Sequence, residues 1–214
     1  MDFKFSKEDE LFRQEIADFV EKELPWDWRK EKIDSEDPRD RPKVKEFRKK
    51  LAKKGWLTMA WPKEYGGQAA PHVQQLIFNE EMSYRSIPAI DAGISQVGPI
   101  IMLFGTDEQK NYFLPKISNA EIDWTQGYSE PDAGSDLAGL QTRAIEDGDD
   151  YLVTGSKIWN GAHSGANWMF MLVRTDPDAP KHRGISFLVA EMKTEGITVE
   201  KIPMMWDHSR ALIT

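Results

Sequence analysis

The chain has 214 residues, 40% of them hydrophobic and 30% charged, with 8 Trp, 10 Phe and a formal net charge of -8. Such a composition supplies a core for one domain or two small ones and excludes a disordered chain. The lack of cysteine excludes disulfides, thiolate metal sites and a Cys nucleophile, the four scattered His argue against a metalloenzyme, and no run approaches the ~20 apolar residues of a spanning helix.

The opening Met1-Asp2-Phe3-Lys4 is polar, unlike a secretory signal or a transit peptide, which predicts a cytoplasmic protein. Residues 1–54 carry 16 Lys and Arg against 15 Asp and Glu, and residues 55–214 carry 12 against 21. An acidic surface repels a phosphate backbone, so no nucleic-acid partner is expected. Ser6 with Asp9 forms a capping-box pattern, and Phe12, Ile16, Phe19, Val20 and Leu24 then recur at helical spacing until Pro25 stops them. A Pro-punctuated connector from Trp26 to Pro42 leads to a basic helix, Lys43 to Lys54. Its Val44, Phe47 and Leu51 share one face, its cations form a solvated face or an anion site, and Gly55 closes it. A turn-rich segment from Trp56 to Gly67 follows. Further helices are predicted from Val73 to Tyr84, from Ala89 to Phe104, and from Asp107 to about Pro115.

After residue 121 the pattern changes to strands: Leu140 to Ile145, Tyr151 to Trp159, Trp168 to Thr175, Gly184 to Ala190 and Ile197 to Ile202, separated by clusters such as Asp147-Gly148-Asp149. Helices first and strands later predict an α+β protein: an all-helical domain over residues 1–120 and an antiparallel, barrel- or sandwich-like β-domain over residues 121–214. The chain stops at Leu212-Ile213-Thr214 inside a strand, so the β-domain is expected to be incomplete, with an open edge that invites pairing.

The segment Gln126 to Asp136 carries the most chemistry. Small residues at 133–135 allow backbone N–H groups close to a ligand, and Ser129 and Ser135 offer hydroxyls, a combination suited to a polyanion. The same composition also makes an ordinary loop after a strand. Gly127-Tyr128-Ser129-Glu130-Pro131 comes near a nucleophile elbow, but Pro131 stands where the second Gly is required.

Set beside other motifs, the segment resembles the acyl-CoA dehydrogenases, flavoproteins that oxidise acyl-CoA thioesters to 2-enoyl-CoA. Their E-P-x-A-G-S-D signature stands at Glu130 to Asp136. The G-x-K-x-W strand stands at Gly155 to Trp159, with Ala166-Asn167-Trp168 as its partner. Pro62 to Gly67, Gly105 to Gln109 and Gly184 to Val189 follow the family order. The resemblance implies that a helical domain and a β-domain hold FAD, with contacts from Gln126, Tyr128, Ser129, Gly134, Ser135, Trp159, Asn160 and Gly161. It implies that Ser135 also touches CoA and that the Trp159 indole packs on the flavin. It further implies an acyl-CoA substrate, an electron-transfer flavoprotein as acceptor, and a homo- or hetero-oligomer for the full-length protein. Selectivity for the acyl group would depend on helix geometry around Ile87 to Phe104.

Two departures bear on function. Many relatives have a Thr two residues after this Trp, where this chain has Gly161, followed by Ala162 and His163, the last read as a loop residue. Relatives also continue into a C-terminal helical domain that carries the catalytic glutamate, so no residue of this chain is expected to be the base and the isolated chain is expected to be inactive. Dehydrogenation needs a carboxylate at the α-carbon and a hydride acceptor at the β-carbon; Glu80 and Glu81, on a helix, are expected to be solvated or salt-bridged. Same-fold oxidases and flavin monooxygenases, and a noncatalytic flavin- or acyl-CoA-binding partner subunit, are the alternative readings.

Overall fold

The computed structural model describes residues 4–24, 40–161, 165–205 and 209–214. The stop at Pro25, the connector up to residue 39, and Ala162 and His163 lie outside the described residues. The chain divides into two compact units, Met1–Glu121 and Ile122–Thr214.

The first unit is helical. Helix α1 (Lys7–Glu23) opens on the capping box read from its sequence: Asp9 N donates to Ser6 Oγ at 3.1 Å and Ser6 N to Asp9 Oδ2 at 3.2 Å. Helix α2 (Arg41–Lys53) starts two residues earlier than expected, because Pro42 in a first turn has a preset φ and no N–H to satisfy. Val44, Phe47 and Leu51 are its buried face. Gly55, at φ +71°, ends it as a Schellman turn, with Gly55 N bonded to Ala52 O and Trp56 N to Leu51 O. Trp56 then meets the edges of Phe12 and Phe19 from α1 and of Phe78 from α3 (His72–Tyr84).

Two helical expectations are corrected. The stretch expected from Ala89 begins with a π-helical turn, Gly93–Val97, that runs into α4 (Gly98–Phe104). Trp61 fixes this wide turn: its indole Nε1 donates to Ile94 O at 3.1 Å, and its ring lies where a side chain at Gly98 would project. Helix α5 (Asp107–Ser118) passes through Pro115 instead of ending there. Burial of Phe113, Leu114 and Ile117 on one face outweighs the single backbone bond the proline removes.

The second unit holds two sheets. Strands β1 (Trp124–Gly127), β2 (Arg143–Asp147), β3 (Asp150–Thr154), β5 (Trp168–Arg174) and β6 (Ile185–Glu191) form one, and β4 (Lys157–Asn160), β8 (Ser209–Ile213) and β7 (Val199–Pro203) form the other, in that order. The wholly antiparallel expectation is corrected: β1 and β2 both run parallel to β5 along one of its edges, while β6 pairs antiparallel along the other. A 40-residue connection separates β1 from β5, and parallel neighbours need such a crossover. The described strands form no closed barrel.

The run Tyr151 to Trp159, expected as one strand, is two. It turns from one sheet to the other at Gly155, where φ is +154° and a Cβ would lie 2.5 Å from Thr142 Oγ1. Strand β8, the last of the chain, is central in its sheet, with β4 and β7 on its two edges. Ala144, Met169, Met171, Val173, Ala211 and Ile213 make the core of this unit, with Leu188, Ala190, Met192 and Ile197 against it. The opposite face of β5 carries Trp168 and Phe170, which group with Trp124, Tyr128 and Phe187 at ring separations of 5.6 to 6.3 Å.

Candidate functional site

Strand β1 delivers the signature segment to the end of the larger sheet. Its register sets Gln126, which is exposed, beside Phe170. Tyr128 follows half-buried, edge-on to Phe170 at 5.6 Å, and loss of water around its phenol raises the pKa. Glu130 and Ala133 exchange backbone bonds of 2.9 and 3.1 Å across the tip Pro131-Asp132, so the signature is a tight, internally bonded turn. Gly134, Ser135 and Asp136 then lie exposed. Asp136 takes a hydrogen bond from Lys181, whose charge holds the carboxyl below its ordinary range. No described atom lies within 4 Å of the Cβ position at Gly134, so the backbone there faces open space.

Strand β4 supplies the second segment. Lys157 pairs with Ile213 and Asn160 with Ala211, so three steps on β4 oppose two on β8 and the strand bulges between them. Trp159 sits in this bulge with φ +65° and its residue 55% exposed. A left-handed backbone at a bulky residue is a genuine outlier costing on the order of 1–3 kcal/mol. Its neighbours on either side are anchored: Lys157 is 2% exposed, and Asn160, also buried, donates from Nδ2 to Lys157 O at 3.1 Å. At Gly161, too, no described atom lies within 4 Å of the Cβ position.

The two segments meet through Glu130 and Lys157. Ile158 N donates to Ser129 O at 2.9 Å, and the Lys157 ammonium donates to Glu130 Oε1 at 2.8 Å and to Tyr128 O at 3.3 Å. The Glu130 carboxylate also accepts from Gln141 N at 2.6 Å and Thr142 N at 2.9 Å. Burial alone would push the Glu130 carboxyl up, but these donors acting together hold it below its ordinary range. Further along the chain, Arg174 ties down the residues after the signature by donating to Leu140 O from Nε and to Ala138 O from Nη2.

Of the residues read as ligand contacts, the fold joins Tyr128 and Ser129 to the base of β4 and leaves the Trp159 indole and the Gly134 and Ser135 backbone accessible. Gln126 lies on β1 and Asn160 is largely internal. The pairing of Glu130 with Lys157 was not read from the sequence. Its available signal was a lysine in a strand two positions before a tryptophan, where alternation puts both on one face until the bulge intervenes. The carboxylates considered as bases are all occupied: Arg13 bridges Glu80 Oε2 at 2.8 Å and Glu81 Oε1 at 2.9 Å, Arg85 also binds Glu81, and Glu130 holds Lys157. An exposed flat indole, the exposed backbone at Gly134 and neighbouring hydroxyls suit a planar ligand with a polar, anionic extension.

Comparison with known proteins bears on the same two units. The family model "Acyl-CoA dehydrogenase, N-terminal domain" matches residues 6–121, and "Acyl-CoA dehydrogenase, middle domain" matches residues 125–208. The chain is 46% identical over 151 residues to acyl-CoA dehydrogenase FadE26 of Mycobacterium tuberculosis (strain ATCC 25618 / H37Rv), a match covering 69% of this chain and 38% of that protein. Among solved structures it is similar to the ChsE4-ChsE5 complex from Mycobacterium tuberculosis, with TM-score 0.88 and 36% identity over 100% of this chain and 54% of that one. It is also similar to the Tcur3481-Tcur3483 steroid ACAD, with TM-score 0.89 and 34% identity over 100% of this chain and 55% of that one. The chain thus spans about four tenths to just over half the length of these relatives.

Proposed function

Because the chain belongs to the acyl-CoA dehydrogenase family, we propose that it forms the flavin-holding part of an FAD-dependent dehydrogenase acting on acyl-CoA thioesters. The observation that carries this reading is Trp159: a strained, left-handed tryptophan with its indole exposed, beside the internally bonded signature turn. Trp159, Gly161 and Asn160 hold one side of the FAD in this reading, and Gln126, Tyr128, Ser129, Gly134 and Ser135 hold the other, with Ser135 also meeting the CoA. The open space at the Gly134 Cβ position supports the fit, since a side chain there would fill the approach to the ligand.

FAD, if held by Trp159 and the signature turn, would supply the hydride acceptor that α,β-dehydrogenation of an acyl-CoA requires. The residues of this chain bind and orient. The Trp159 indole offers a flat apolar face, the hydroxyls of Ser129 and Ser135 donate to ligand oxygens, and the half-buried Tyr128 keeps water from one flank. None of Glu80, Glu81 and Glu130 is offered as the base, because each is committed to a cation. For the full-length protein we further propose an electron-transfer flavoprotein as acceptor and an oligomer of like or unlike chains; similarity to ChsE4-ChsE5, a complex of two named components, supports the latter.

The test is FAD titration of the chain and of its Trp159→Ala and Ser135→Val variants, followed by flavin absorbance and tryptophan quenching. Each substitution is expected to raise the Kd at least tenfold. Equal affinity in all three proteins would refute the assignment.

A further inference from the structure

We propose that the buried Glu130–Lys157 pair is a positioning clamp. It holds the Tyr128–Ala133 turn and the Trp159 bulge at a fixed separation, and so sets flavin affinity through those residues without touching the ligand. The proposal rests on the reading of Trp159 and the signature turn as the flavin contacts, but its geometry is independent of that reading.

The two segments lie 27 residues apart in sequence at Glu130 and Lys157 and meet at a buried point: Glu130 is 7% exposed and Lys157 2%. One ammonium reaches both ends of the first half of the turn, through Tyr128 O and Glu130 Oε1. The other bonds to that carboxylate come from Gln141 N and Thr142 N, so the loop from 130 to 142 is closed around Glu130. Gly127 makes room for the lysine, since a Cβ there would lie 3.3 Å from Lys157 Cγ and 2.9 Å from Met169 Sδ.

A strained residue persists only where its surroundings over-determine it. Trp159 is flanked in sequence by Ile158, whose N–H is bound to Ser129 O, and by buried Asn160, bound to Lys157 O. Beside its pairing with β8, the bulge is thus held by bonds that lead back to Lys157 or to the turn it grips. As a source of stability alone the pair is weakly justified, because well-packed apolar isosteres often replace buried ion pairs without loss. Its location at the junction of both segments is what it contributes.

The test uses the full chain labelled with 5-fluorotryptophan, with the Trp159 resonance assigned through Trp159→Phe. Lys157→Met keeps the stem and removes the ammonium, and Glu130→Gln keeps the shape and removes the charge. Both are expected to shift or broaden the Trp159 fluorine line without ligand, to leave the lines of Trp124 and Trp168, paired in the same unit, in place, and to weaken FAD binding about tenfold. If Lys157→Met disturbs the Trp124 and Trp168 lines, its unit has unfolded and the milder Glu130→Gln decides. A folded variant with an unmoved Trp159 line, or with a moved line and unchanged FAD affinity, overturns the clamp. Failure of Trp159→Phe and Ser135→Val to alter FAD affinity would instead remove the flavin reading, while the ligand-free fluorine shift would still judge the clamp's geometry.

Discussion

Replacing Gly98 by alanine separates helix propensity from packing, because the two predict opposite signs. Gly98 opens α4 directly after the π-helical turn, and in a helix Gly→Ala gains about 1 kcal/mol. The added Cβ would lie 2.2 Å from Trp61 Cζ2, 2.6 Å from Cη2 and 3.1 Å from Cε2. The closest pair must separate by more than about 1 Å, and the indole has little freedom to yield. Trp61 is 4% exposed and its Nε1 is bound to Ile94 O. Overpacking of this kind costs about 1–3 kcal/mol. Moving the ring also breaks a buried hydrogen bond and strands the Ile94 carbonyl, at about 1–3 kcal/mol more. Central values leave Gly98→Ala less stable by roughly 3 kcal/mol. Urea denaturation followed by far-UV circular dichroism measures it, with Trp61→Phe as the partner in a double-mutant cycle. In the Trp61→Phe background the clashing six-membered ring is gone, and Gly98→Ala is expected to be neutral or stabilising. A stabilising Gly98→Ala in the parent chain, or the same loss with and without the indole, would refute the reasoning.

The depressed pKa of Glu130 gives the pair a pH dependence. Its carboxylate stabilises the fold fully above the ordinary carboxylate range, and that contribution is lost as pH falls through the lowered pKa, so stability should decline with acidity below about pH 4. Glu130→Gln is expected to flatten that part of the acid unfolding curve; an unaltered slope counts against the pair as the titrating element. The 214-residue chain supplied with excess FAD, a dye acceptor and acyl-CoAs from short to bulky is expected to show no turnover, since Glu80, Glu81 and Glu130 are each bound to a cation. Turnover near 1 s⁻¹ would mean that a carboxylate within residues 1–214 serves as base after all, with Glu80, Glu81 and Glu130 the first to mutate. Gly155→Ala, with its Cβ 2.5 Å from Thr142 Oγ1 at φ +154°, is expected to lower the midpoint of thermal unfolding; an unchanged midpoint would show that the corner between the sheets does not need glycine.

Local features of this protein were legible from the residues alone because each depends on neighbours a few positions away. The capping box at Ser6 and the buried stripe of Val44, Phe47 and Leu51 are properties of one helical turn and its successor. The division into helical and strand-bearing halves follows likewise from the period of the apolar residues. The family motifs were contiguous, so they too could be read without the fold. What required tertiary structure was every outcome set by residues distant in sequence. Pro115 stays within α5 because Phe113, Leu114 and Ile117 are buried. The stretch from Tyr151 to Trp159 breaks in two because Thr142 crowds Gly155, and strands β1 and β2 lie parallel to β5 because a long crossover returns them to one edge. The site shows the same division. Ser135 and Trp159 stand out by type and motif, whereas the bulge that turns Trp159 outward and the ion pair beneath it arise where β4, β8 and the signature turn converge. Side-chain period is a local signal, but burial, strain and charge pairing are decided by what the rest of the chain brings alongside.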